Sequence, residues 1–143
     1  MQSYAKNTEL LRHMEVLDSL LGEVEISLYD PSAAVELPLV LVVGCPRSGT
    51  TLITQWLAAS GAFAYPTNFV SRFHRAPVIA YLIQELVANP AYQYGAEFSD
   101  IRKGLDFRSH LGKTAGFLAP HGFWFFWRRF FQFPDIPLSL IHI

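Results

Sequence analysis

Residues 37–51 read LPLVLVVGCPRSGTT, and this stretch decides how the chain is to be understood. Leu37 to Val43 is an apolar run of strand length, with Leu39 to Val43 apolar on both faces. Such a run predicts a strand in the middle of a parallel sheet, where both faces are covered. Gly44 to Thr51 then supplies small residues that open into a helical pattern. Glycines let the backbone turn sharply, and loop amides in such a turn point inward at an anion. A helix beginning at Thr50 adds its positive end to the same place.

The spacing within the loop narrows the chemistry. Gly44 and Gly49 are separated by four residues and followed by Thr50 and Thr51. A nucleotide-hydrolysing P-loop places Lys directly after the second Gly, then Ser or Thr for Mg²⁺. Thr50 stands in the Lys position, so the loop lacks its main charge for γ-phosphoryl transfer. The cation is Arg47, inside the loop. Its planar fork can meet two oxygens of one anion at once. The loop therefore predicts a site for a phosphate-like group without Mg²⁺-dependent hydrolysis.

The hexapeptide Pro46-Arg47-Ser48-Gly49-Thr50-Thr51 closely resembles the 5′-phosphosulfate loop of sulfotransferases. Those enzymes take 3′-phosphoadenosine 5′-phosphosulfate (PAPS) as donor. The cytosolic branch usually carries Lys where Arg47 stands, and the Arg form looks like the protein-tyrosine and bacterial branches. Phe63 to Pro77 and Gly116 to Phe131 also resemble bacterial sulfotransferase-like proteins. The resemblance covers Leu39 to Phe133. It implies a three-layer α/β fold of the P-loop nucleoside-triphosphate-hydrolase type, built on a parallel sheet. It further implies that Pro46, Arg47, Ser48, Gly49, Thr50 and Thr51 hold the donor, that Arg47 also serves catalysis, and that no metal takes part.

Removing a proton from the acceptor calls for a general base. In the protein-tyrosine branch a Glu shortly after the loop does this. The matching neighbourhood here, Tyr65-Pro66-Thr67-Asn68, holds no carboxylate. In the cytosolic branch a His further on does it, and the candidates are His110 and His121. His121 is the choice because it precedes the aromatic stretch; His74, between Arg72 and Arg75, is the runner-up. Two other functions stay open. One is a P-loop nucleotide kinase or NTPase, and the other a non-catalytic phosphate-binding fragment.

The remaining composition sets bounds. The chain has 143 residues, enough for one domain with a core. A net charge of −1 speaks against a general nucleic-acid binder. The charge is uneven. Residues 37–133 carry Arg47, Arg72, Arg75, Arg102, Lys103, Arg108, Lys113, Arg128 and Arg129 against only Glu85, Glu97, Asp100 and Asp106. That balance suits a polyanionic donor. Cys45 is the only cysteine, so no intrachain disulfide forms, and it is read as a small packing residue. The first residues carry no signal-peptide core, and no apolar run is long enough for a membrane span. The expectation is a cytoplasmic protein acting on a small-molecule acceptor.

Three parts are expected: residues 1–36 as a helical arm and linker, 37–135 as the N-terminal part of the sulfotransferase-like domain, and 136–143 as a tail that does not fit what precedes it. Thr8 to Leu21 predicts a helix stopped by Gly22. Val24 to Tyr29 predicts a short strand or extended connection, and Asp30 to Pro38 a linker. Thr50 to Ala59 predicts a helix whose Leu52, Ile53, Trp56 and Leu57 face the core. Phe63 to Tyr65 predicts a second short strand, and Pro77 to Val87 a helix stopped by Asn89-Pro90. Ala91 to Lys113 predicts a loop or lid. His121 to Phe133 is heavily aromatic and admits a buried helix, an acceptor-pocket wall or an interfacial anchor. The 3′-phosphate site of the family has no counterpart. The chain is thus expected to be the N-terminal piece of a longer enzyme, with an incomplete sheet and an open edge.

Overall fold

The computed structural model describes residues 7–34, 37–45, 48–92, 109–110 and 113–131, and the backbone but not the side chain of His110. Pro46, Arg47, most of the expected loop at 91–113 and the tail at 136–143 lie outside the described residues. The chain is mixed in structure and rich in helix. Helix α1 spans Thr8–Glu25, α2 Thr50–Ala59, α3 Pro77–Ala88 and α4 Trp124–Trp127. Short 3₁₀ turns occupy Ile26–Leu28, Val70–Arg72 and Pro90–Tyr92. Strands β1 (Ser109–His110) and β2 (Lys113–Thr114) form an antiparallel pair, with Ser109 opposite Thr114.

No parallel sheet occurs among the described residues. Leu39 to Val43, expected as a central strand, is not assigned as one. Leu39 is 75% and Val43 86% exposed. A central strand is held by ladders on both of its edges, and no described strand lies beside this one to supply them. Phe63 to Tyr65 likewise forms no strand; pairing begins two residues later, at a single bridge between Thr67 and Pro120.

Gly22 does not stop α1, which runs on to Glu25 and into a 3₁₀ turn where a strand or extended connection was expected. The position needs Gly for another reason. A Cβ there would stand 3.0 Å from the Cβ of Arg75, so the missing side chain is what lets α1 approach the start of α3. Two carboxylates on the same stripe complete the contact. Asp18, 4% exposed, accepts the Arg75 amide at 2.8 Å and lies 3.3 Å from His74 Nδ1. Glu25 accepts the Val78 amide at 2.7 Å and the Ile79 amide at 2.9 Å. Spacings of four and three residues put all three on one side of a helix. Glu25 thereby supplies from another helix the cap that α3 lacks locally, its own N-cap being Ala76.

α3 runs one residue beyond the expected Val87, with Pro77 in its first turn and Asn89 at its end. α2 matches its expected bounds, but its inward face does not match. Gln55 and Ala58 are buried, whereas Leu52, Ile53 and Trp56 are exposed. Apolar residues around a short helix fit more than one orientation, and the polar first turn here faces a pocket.

The core is small and aromatic. Val70, Ala80 and Phe123 are buried, with Phe69, Phe73, Phe126 and Trp127 packed around them. Phe123 and Phe126 stack with centroids 4.5 Å apart. The aromatic stretch is thus divided: Phe123 is core, while Trp124, Phe125, Phe130 and Phe131 are exposed around the single turn of α4. Beneath the core, the Thr67 hydroxyl donates to Gln84 Oε1 and accepts the Val70 amide at 3.1 Å, tying α3 to the 3₁₀ turn. Cys45 is exposed, so the expected packing role is not what it has.

Candidate functional site

The loop after residue 43 closes on itself. The Ser48 amide donates to the Cys45 carbonyl at 3.1 Å. A Cβ at Gly44 would collide with Ser48 Oγ and come within 2.9 Å of Thr50 Cγ2, so Gly is required for this closure. Gly49 has φ +86, in the left-handed region that favours glycine, and it caps α2 without a side chain. Among the described residues no side chain caps the first amides of α2. Thr54 spends its hydroxyl on the Thr50 carbonyl at 2.8 Å. Among the described residues the hydroxyls of Thr50 and Thr51 have no hydrogen bond.

A pocket of about 140 Å³ opens at this helix end, lined by Val42, Thr50, Thr51, Thr54, Pro120, His121 and Gly122. It joins two stretches far apart in sequence, residues 42–54 and residues 120–122. The return segment carrying His121 is held by hydrogen bonds to the stretch after Tyr65. The His121 amide donates to the Pro66 carbonyl at 2.8 Å, the Asn68 amide to Ala119 at 2.8 Å, and the Phe69 amide to Phe117 at 3.2 Å. Asn68 is the hub. Its Nδ2 donates to the carbonyls of Thr114 (3.0 Å) and Gly116 (2.8 Å), and its Oδ1 lies 3.2 Å from the Thr114 hydroxyl. Thr114 Oγ1 also reaches the Pro120 carbonyl at 2.7 Å. Asn68 was not singled out from the sequence. A lone amide in Tyr65-Pro66-Thr67-Asn68 carries no pattern that marks it.

His121 is half-buried. Burial first, and the Arg72 guanidinium second, push its imidazolium below the usual value of 6.5, because both disfavour the charged ring. Its Nδ1 accepts the Phe123 amide at 2.9 Å. Phe123 is the one described non-glycine residue with positive φ, at φ 52 and ψ 35.

The structure brings Thr50, Thr51 and His121 to one pocket; Ser48 and Gly49 form the turn beside it. His74 is elsewhere. It pairs with Asp18, and its carbonyl accepts Arg129 Nη1 at 2.9 Å. Among the described residues the only aromatic ring lining the pocket is the imidazole, and Gly122 is the only residue after His121 that reaches it. On the buried side of α2, Gln55 Nε2 has no partner among the described residues. Among the described residues no group of three or more His, Cys, Asp or Glu is placed to hold a metal ion, and no helix is long and apolar enough to cross a membrane. No protein-family model, no curated protein and no solved structure gives a significant match to this chain.

Proposed function

We propose that this chain is a PAPS-dependent sulfotransferase, or the phosphosulfate-binding part of one, with a P-loop α/β fold and a hydroxyl or amine acceptor. The observation that carries the proposal is the closed glycine loop opening onto an uncapped helix start. Gly44 gives way to Ser48 and Thr50, and Thr50 and Thr51 border a pocket of about 140 Å³, with room for a tetrahedral oxyanion. Amides and hydroxyls at a helix N-terminus favour an anion with four acceptor oxygens.

The chemistry follows from charge. In sulfuryl transfer the bond from sulfur to the bridging phosphate oxygen breaks, and that oxygen keeps the electron pair. Donors already aimed at it stabilise the transition state more than the ground state. Arg47 and the amides and hydroxyls of Ser48 to Thr51 are the donors assigned to this task. The rival enzyme function, a P-loop kinase or NTPase, is disfavoured by Thr50 in place of Lys. A non-catalytic phosphate-binding role differs only in lacking turnover.

Thermal denaturation with ligands separates these functions. Adenosine 3′,5′-bisphosphate in the absence of Mg²⁺ is expected to raise Tm. Stabilisation by ATP with Mg²⁺ alone would refute the proposal. Sulfuryl transfer to a panel of phenols, alcohols and amines then distinguishes an enzyme from a binding fragment.

A further inference from the structure

The imidazole at the pocket has one side of its ring already committed. The Phe123 amide donates to His121 Nδ1 at 2.9 Å, and an amide N–H can only donate. Nδ1 therefore keeps its lone pair, and the single proton of the neutral ring sits on Nε2. That leaves no free lone pair. The only one in this tautomer is the one that Phe123 occupies. To take a proton from an acceptor, His121 would have to break this bond and set two N–H groups face to face. The bond also spans the left-handed turn at Phe123, whose ring is buried in the core.

We infer that His121 serves this pocket as a neutral hydrogen-bond donor, through Nε2–H, to an anionic oxygen of the bound ligand, and not as the general base. The inference rests on the proposal that the pocket binds an oxyanion. It places a third kind of donor beside the Thr50 and Thr51 hydroxyls. It also changes the route of the acceptor's proton. Sulfur bonds the acceptor oxygen as its bond to the bridging oxygen breaks, and the acceptor's proton goes to water. His121 donates throughout and gives up no proton. Arg72 is the charged neighbour that acts on the ring, and it disfavours the imidazolium in the same sense.

Two measurements test this. Multiple-bond ¹H–¹⁵N NMR of the histidine rings at pH 8 is expected to show the Nε2–H tautomer for His121; the Nδ1–H tautomer overturns the inference, whatever the protein's activity. Sulfate, which stays a dianion across this pH range, is the binding probe. Asn at 121 keeps an acceptor where Nδ1 stands, and Gln keeps a donor where Nε2 stands. His121→Asn is expected to weaken sulfate at least about tenfold, the size of one hydrogen bond to a charged group, while His121→Gln stays within a few-fold of wild type. Equal loss in both variants, no loss in either, or sulfate binding that vanishes as pH rises from 6 to 8 would overturn it. If sulfate and the tautomer behave as expected but adenosine 3′,5′-bisphosphate does not bind, the donor role stands and the sulfotransferase proposal falls.

Discussion

Gly22 and Arg75 meet so closely that a methyl group on Gly22 would stand 3.0 Å from the Arg75 Cβ and 3.5 Å from its carbonyl oxygen. In an exposed helix interior, Gly→Ala normally stabilises by about 1 kcal/mol. Here the methyl group pushes α1 away from residues 74–79 and stretches the bonds from Asp18 and Glu25. Gly22→Ala is expected to lose about 1–2 kcal/mol net, as overpacked contacts do. Urea denaturation checks this, and a higher midpoint would show that the approach is not tight.

Glu25 caps α3 from outside with two amide contacts. Glu25→Ala is expected to cost about 1–2 kcal/mol, in the range of lost N-caps. Glu25→Gln keeps an acceptor and loses the charge, so its loss is smaller. A loss in Glu25→Ala that vanishes in high salt would assign the whole effect to charge rather than to hydrogen bonding.

Thr67 bridges Gln84 and the Val70 amide in the buried layer. Thr67→Val keeps the shape and removes both bonds. Each buried partner left unsatisfied costs about 1–3 kcal/mol. Thr67→Ser keeps the hydroxyl and is expected to lose much less. Equal losses in the two variants would point to packing of the methyl group instead.

Acid stability carries a signature of His121. Its folded value lies below the usual 6.5, held there by burial and then by Arg72. The unfolded chain therefore takes up this proton first as pH falls. Stability tied to the neutral ring is present above about pH 6.5 and is lost as pH drops through the folded value. Tm followed from pH 8 to 5 is expected to fall more steeply in wild type than in His121→Asn. Parallel curves would remove His121 from the effect.

Arg47→Ala is expected to weaken adenosine 3′,5′-bisphosphate by about 1.5–3 kcal/mol, the value of a charge-assisted bidentate contact, with Tm of the free protein unchanged. Calorimetric titration reads the affinity directly, and equal affinity would take Arg47 out of the donor site.

Local rules were legible where local physics decides. Pro77 and Asn89 bracket α3, and Gly49 and Ser60 bracket α2, because proline geometry and glycine φ act within a few residues. Gly22 was misread as a stop because its neighbour, Arg75, is distant in sequence. Leu39 to Val43 has the composition of a strand, but a strand is defined by partners and none is described beside it. The pocket repeats the lesson. Thr50 and Thr51 stood out from spacing alone. What holds the segment carrying His121 in place is Asn68 and its hydrogen bonds to Thr114 and Gly116, which no periodicity encodes. The protonation of His121 depends on one bond to Phe123, which only geometry reveals.

The seam from Asp18 through Gly22 to Glu25 fixes α1 by directional contacts to four residues, His74, Arg75, Val78 and Ile79, rather than by a deep apolar interlock; Leu10, Leu17 and Leu20 stay exposed. Such a joint is brittle. It holds fully or it lets go at once, because a small tilt of α1 lengthens every one of its bonds together. In native-state hydrogen exchange, α1 and the first turn of α3 should release their amides as a single unit, ahead of the Asn68-centred clamp.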